Sequence, residues 1–183
     1  KRRLVARLDI KGNRLIKGIR FEGLRVVGDP SELIEKYLNG GIDELFYSDA
    51  VASLYGRNSL EGILREACKK CFVPITAGGG IRSVEDGKRL LAAGADKLAI
   101  NTAAVKNPEL LKHLSNRFGR QCIVLSVQAR RKLRGETGWE VMLSSGREKT
   151  SLNLKEWINK AIKYGVGEVF LTSVDQDGTQ SGP

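Results

Sequence analysis

Short apolar segments alternate along this chain with amphipathic segments that carry helix caps, and this rhythm limits the available folds more than any other feature. The first strand is expected over Leu4–Ile10. After a long polar loop, Asp29 and Pro30 form an N-cap and first-turn pair ahead of an apolar stripe of Leu33, Ile34, Tyr37 and Leu38, and Gly40-Gly41 stops that helix. Glu44–Ser48 reads as the second strand, Ser59–Lys70 as the second helix and Val73–Ala77 as the third strand. A third helix begins at the capping pair Ser83 and Asp86 and ends at Gly94, ahead of a fourth strand over Lys97–Ile100.

Asn107-Pro108 opens the fourth helix, Gly119 closes it, and Gln121–Val127 is expected as the fifth strand. Residues 130–150 then alternate polar and apolar around Gly135 and Gly138, the pattern of an inserted β-hairpin. Leu154, Trp157, Ile158, Ala161 and Ile162 follow at helical spacing, and Glu168–Thr172 completes a sixth strand. This is an α/β chain whose strands form a parallel sheet. A closed (βα)8 TIM barrel uses eight strands and about 250 residues, so residues 1–183 are expected to form a single barrel domain truncated after about six strands.

An internal repeat sharpens this expectation. Gly41–Ser48 matches Gly165–Thr172, and Val5–Lys11 parallels Val124–Arg130. Asp9 and Gln128 are therefore equivalent, at the ends of the first and fifth strands, and in a barrel of two such halves they are expected across the mouth from one another.

Composition excludes several functions. The longest apolar runs are interrupted by Gly and fall short of the roughly 20 residues of a membrane span, and no signal peptide is expected. The formal charge of +10 is spread through helices and loops with little aromatic interleaving, which argues against nucleic acid and suits an anionic substrate or an acidic partner. Cys68, Cys71 and Cys122 form no disulfide framework and point to the reducing cytoplasm. The Cys68–Cys71 spacing closes a helix instead of opening one and has no second pair, so no metal site is expected. His113, the single histidine, sits on a helical pattern among leucines and reads as a helix-surface residue.

Two loops carry anion chemistry. Ala77-Gly-Gly-Gly-Ile81 lies between a strand and a capped helix, where backbone free of side chains can close on a phosphate. Asn101-Thr102 follows the next strand and adds hydrogen-bonding groups at a neighbouring strand end. Asp175–Gly182 follows the sixth strand and is a candidate for a second anion.

Leu8-Asp-Ile-Lys, Leu15-Ile-Lys-Gly, Gly28-Asp-Pro, Gly41-Ile-Asp-Glu-Leu, Gly78-Gly-Gly-Ile, Gly94-Ala-Asp-Lys, Ile100-Asn-Thr-Ala-Ala-Val and Leu171-Thr-Ser with Asp177-Gly-Thr span nearly the whole chain. Together they resemble the cyclase subunit of imidazole glycerol phosphate synthase. It implies a lyase of histidine biosynthesis that needs no cofactor and pairs with a glutaminase in a heterodimer. Ammonia from that partner reacts with a phosphoribulosyl-formimino aminoimidazole carboxamide ribonucleotide, giving imidazole glycerol phosphate and aminoimidazole carboxamide ribonucleotide.

By the same resemblance Asp9 is a catalytic carboxylate, and Lys17 lies on a mobile first loop over the substrate. Gly80, Asn101 and Thr102 hold one phosphate, and Asp177 with Gly178 holds the other. Arg3, Glu44, Lys97 and Glu168 match the charged ring at the ammonia entrance, and Asp96 matches a neighbouring position that faces the glutaminase. The chain departs from the pattern at Gln128, where a second catalytic carboxylate is expected: glutamine cannot titrate. Two alternatives remain at this point: a paralogue that conducts ammonia to an enzyme amidating a surface sugar, and a phosphate-binding or interaction scaffold.

Overall fold

The computed structural model describes residues 2–50, 52, 60–132 and 137–181. Ser59, Gly135 and Gly182, named in the sequence reading, lie outside that set. The chain divides into two compact units, residues 1–16 with 25–99 and residues 17–24 with 100–183. Both are α/β, with parallel strands separated by helices, the arrangement of the (βα)8 family.

In the first unit, β1 (Val5–Lys11) pairs in parallel with β4 (Glu44–Asp49), β4 with β5 (Ile75–Gly78), and β5 with β6 (Lys97–Ile100). The register aligns Leu8, Tyr47, Ala77 and Leu98 in one row, and all four are buried. Because strand side chains alternate between faces, Arg7, Phe46, Thr76 and Lys97 form a row on the opposite face. Asp9, Ser48, Gly78 and Ala99 form the next row on that same face. The connecting helices α1 (Pro30–Asn39), α2 (Leu60–Cys68) and α3 (Val84–Ala92) bury Ile34, Leu60 with Leu64, and Leu90.

The helix starts follow from their caps. The Asp29 carboxylate accepts from Ser31 N at 2.8 Å ahead of Pro30. Ser83 and Asp86 exchange hydrogen bonds as a capping box, and the Asp86 carboxylate also accepts from Arg82 N and from Arg89. Burial pushes the Asp86 carboxyl upward. The Arg82 and Ser83 groups and the Arg89 guanidinium together outweigh that and hold it below its ordinary value.

The expected polar loop before Asp29 is instead a β-hairpin, β2 (Arg14–Ile19) and β3 (Glu22–Gly28). β2 returns antiparallel on β1 through Asp9↔Ile16 and Lys11↔Arg14, across a turn with Gly12 at φ 58°. Leu15 and Ile16 are buried, so this segment carries apolar residues of its own and is strand instead of polar loop. The third strand begins at Ile75 instead of Val73. Pro74 has no N–H to donate, and Asp96 clips the strand start by accepting from Ile75 N and donating its own N–H to Ile75 O, both at 2.8 Å.

In the second unit, α4 (Thr102–Lys106) and α5 (Glu109–Phe118) lead through a single 3-10 turn to β7 (Ile123–Arg131). The short α4 was not foreseen, since a five-residue helix carries no usable periodicity. β7 pairs antiparallel with β8 (Trp139–Leu143), and β8 with β9 (Glu148–Asn153). The helix α6 (Leu154–Lys163) buries Trp157 and Ala161 and returns the chain to β10 (Glu168–Ser173), parallel to β7. The tip of the β2–β3 hairpin packs in this unit, with Phe21 against Met142 and Val174. No helix among the described residues is long and apolar enough to cross a membrane.

The capping box gives a direct test. Ser83→Ala is expected to lower unfolding free energy by about 1 kcal/mol. Because Asp86 is held low in the folded state, its contribution is full above the ordinary carboxylate value of about 4 and is lost as pH falls through the lowered one. Urea melts of wild type and Asp86→Ala should therefore converge in acid.

Candidate active site

Parallel strands in proteins of this class keep reactive groups at their C-terminal ends. Asp9 stands near that end of β1, in register with Ser48 of β4. Its Oδ1 accepts from Arg7 Nε at 2.8 Å, and the two side chains retain only 15% and 17% of their exposure. Sequence reasoning missed Arg7. The available signal was its spacing, since residues two apart on a strand share a face.

At the end of β5 the chain turns through Gly78, Gly79 and Gly80, with φ of 104° at Gly79 and 72° at Gly80. A Cβ at Gly79 would lie 2.6 Å from the Asp49 carbonyl oxygen, so the turn requires glycine. Beyond Ile81, the N–H groups of Arg82 and Ser83 are already taken by Asp86. An anion at this turn would therefore be met by the backbone ahead of Arg82.

A second cluster surrounds Glu44, which is 4% exposed at the N-terminal start of β4. Its carboxylate accepts from Thr76 Oγ1 at 2.6 Å, Lys97 Nζ at 2.8 Å and Arg3 at 3.0 Å. Arg3, Glu44 and Lys97 are thus brought together across three strands' starts, with Thr76 as a member that sequence reasoning missed; a polar side chain inside the apolar strand Ile75-Thr-Ala-Gly78 was its only signal. Asp96, beside Lys97, spends its carboxylate on Ile75 N.

The remaining candidates lie in the second unit. Gln128 is buried on β7, in register with Thr172, and its amide oxygen accepts from Gly146 N at 3.0 Å. Asn101 precedes α4 and its side chain makes no capping bond, while Thr102 is the first residue of that helix. Lys17 is exposed on β2. Glu168 opens β10, paired with Val124.

Asp177 and Gly178 follow β10 in a turn that the β2–β3 hairpin tip contacts. Arg20 donates its backbone N–H to Asp177 O at 2.7 Å and its Nε to Asp175 O at 3.0 Å. Gly178, at φ 74°, sits so close that a Cβ there would strike the Gly18 carbonyl oxygen. The Asp175 carboxylate in turn accepts from Arg131 N.

The thiols of Cys68 and Cys71 hydrogen-bond to the carbonyl oxygens of Gly94 and Val73, and burial raises both above the usual thiol range. Among the described residues no group of three or more His, Cys, Asp and Glu is placed to hold a metal. His113 is exposed on α5.

The histidine biosynthesis protein family matches residues 3–183, almost the whole chain. This protein belongs to that family. It is 55% identical to the imidazole glycerol phosphate synthase subunit HisF of Legionella pneumophila, over 98% of this chain and 84% of that one. The same-named proteins of Mycobacteroides abscessus and a Synechococcus strain are each 47% identical, over 98% of this chain and 72% and 70% of theirs. Each of these relatives bears the synthase name, and nothing in them supports the alternative of a paralogue serving surface-sugar amidation.

For this member of the histidine biosynthesis family, the Glu44 cluster makes a clear stability prediction. Glu44→Ala removes the carboxylate that Thr76, Lys97 and Arg3 share; the expected loss is about 1–3 kcal/mol, the cost of leaving sheltered donors short of an acceptor. Arg3→Ala should cost less than about 1 kcal/mol, since the Arg3 side chain is half exposed. Urea denaturation midpoints of the two variants check the ranking.

Proposed function

We propose that this protein is the cyclase subunit of imidazole glycerol phosphate synthase, a lyase of histidine biosynthesis working in the cytoplasm with a glutaminase subunit. The observation that carries the reading is the 55% identity to a protein of that name over nearly the whole chain, with Asp9 standing at a strand end. The substrate is a phosphoribulosyl-formimino aminoimidazole carboxamide ribonucleotide, which reacts with ammonia released by the glutaminase.

In this reading the substrate's two phosphates divide between loops. Gly80, Asn101 and Thr102 serve one, and Asp177 with Gly178 serves the other. The glycine turn supports the first assignment, because its backbone at positive φ carries no side chain to hold an anion off, and the helix that follows has its cap already satisfied. Lys17 supplies positive charge from β2, in the hairpin that follows β1. Arg3, Glu44, Lys97 and Glu168 form the ammonia entrance, and Asp96 faces the glutaminase.

Closing the imidazole ring requires a proton to be taken from one atom and delivered to another. Asp9 can do this work. Gln128 can accept and donate hydrogen bonds but cannot exchange a proton at neutral pH, so of the two strand-end positions that carry a catalytic carboxylate in the family pattern only Asp9 keeps one. A general acid or base contributes about 10²–10⁴-fold.

Gln128→Asp should accordingly raise ammonia-dependent turnover by about 10²-fold or more, and Asp9→Asn should abolish it. Both variants should still bind the glutaminase, whose contact belongs to the residues at the strand starts. Wild-type turnover that Gln128→Asp does not increase would show the second carboxylate to be dispensable. Asn101→Ala should weaken inorganic phosphate or a phosphorylated ligand by about 1–3 kcal/mol in calorimetry. Unchanged affinity would remove Asn101 from the site.

A further inference from the structure

Arg7 and Asp9 leave the same face of β1, with Phe46 and Ser48 as their partners in register on β4. Their 2.8 Å contact is largely sheltered from water, so it is stronger than an ion pair on the surface and confines the carboxylate to one orientation. A guanidinium does not give up its proton in a protein, so Arg7 is a permanent charge and not an acid or base.

The second unit offers an internal comparison. Its β7·β10 pair repeats the β1·β4 register, with Gln128↔Thr172 where the first unit has Asp9↔Ser48. At the position of Arg7 the repeat has Ser126. The side chain in Asp9's place is neutral and is held by the Gly146 backbone N–H through a single oxygen. Each strand end therefore carries a side chain restrained by one donor, but only the first carries a group that titrates, and only there is the donor a charged side chain.

We propose that Arg7 is a positioning residue for ring closure, acting through Asp9; this rests on the functional reading above. Arg7 commits Oδ1 and fixes the carboxylate plane, so that Oδ2 is the oxygen that exchanges a proton with the substrate. With Gln128 unable to share the proton transfers, the rate depends on the aim of the Asp9 carboxylate. A displacement of about 1 Å in a reacting group costs up to 10²-fold.

The test uses the full-length protein, ammonium chloride as nitrogen source and the family substrate, comparing wild type, Arg7→Met and Arg7→Lys. Arg7→Met should lower kcat about 10- to 100-fold while KM changes little, and Arg7→Lys should recover part of the loss. Unchanged kcat in Arg7→Met overturns the proposal. So does a parallel fall in kcat and rise in KM that tracks a lowered Tm and is not repaired by lysine, which would leave Arg7 a structural ion pair. Should Arg7→Met fail to fold, Arg7→Gln is read by the same criteria. A wild type without turnover sinks the functional reading and the proposal with it, whereas an active wild type with an indifferent Arg7→Met sinks the proposal alone.

Discussion

The parallel register between β1 and β4 is the constraint on which the first unit depends. Leu8 opposite Tyr47 places both on the buried face, and the same alignment continues through Ala77 to Leu98. Because strand side chains alternate, this choice also assigns Arg7, Asp9, Glu44, Thr76 and Lys97 to the other face. A slip of one residue would send Leu8 away from its apolar neighbours and bring Asp9 among them. The core and the site are therefore set by a single alignment, and the free energy that selects it comes from the apolar row.

That polar face holds two charge clusters of different character. Around Glu44, one carboxylate receives a hydroxyl and two cations, so a charge with little exposure is satisfied several times over. Around Asp9, one carboxylate oxygen receives one guanidinium. The first arrangement suits a rigid floor at the strand starts. The second leaves chemical capacity at the strand end, where βα enzymes keep their reacting groups.

The repeat between the units was legible in the residues, and its structural counterpart is close: β1 and β7 each pair in parallel with a later strand and each turn back into an antiparallel hairpin. Alternation of polar and apolar residues marked the hairpin after β7, while its counterpart after β1 was read as loop. The Gly12-Asn13 turn was a sufficient signal there, and the repeat pointed to the same place. The turn at Arg20-Phe21 is a different case. Both residues sit at positive φ, which neither prefers, and they are held there by Phe21 packing on Met142 and Val174 and by Arg20 bonding to the Asp175–Asp177 backbone. No local pattern carries that information.

The sequence by itself determined the alternation of elements, the helix starts at Asp29 and Ser83, the glycine turn after β5 and the family. Each of these rests on caps, turn residues and periodicity that act within a few positions along the chain. Tertiary structure decided which charges meet and how far they are withdrawn from water. Arg3 reaches Glu44 across 41 positions and Lys97 reaches it across 53. Even for Arg7 and Asp9, two residues apart, the spacing gives the shared face, while the small exposure that remains to their side chains is a property of the folded chain. Desolvation depends on everything packed around a group, so it is decided when the sheet assembles.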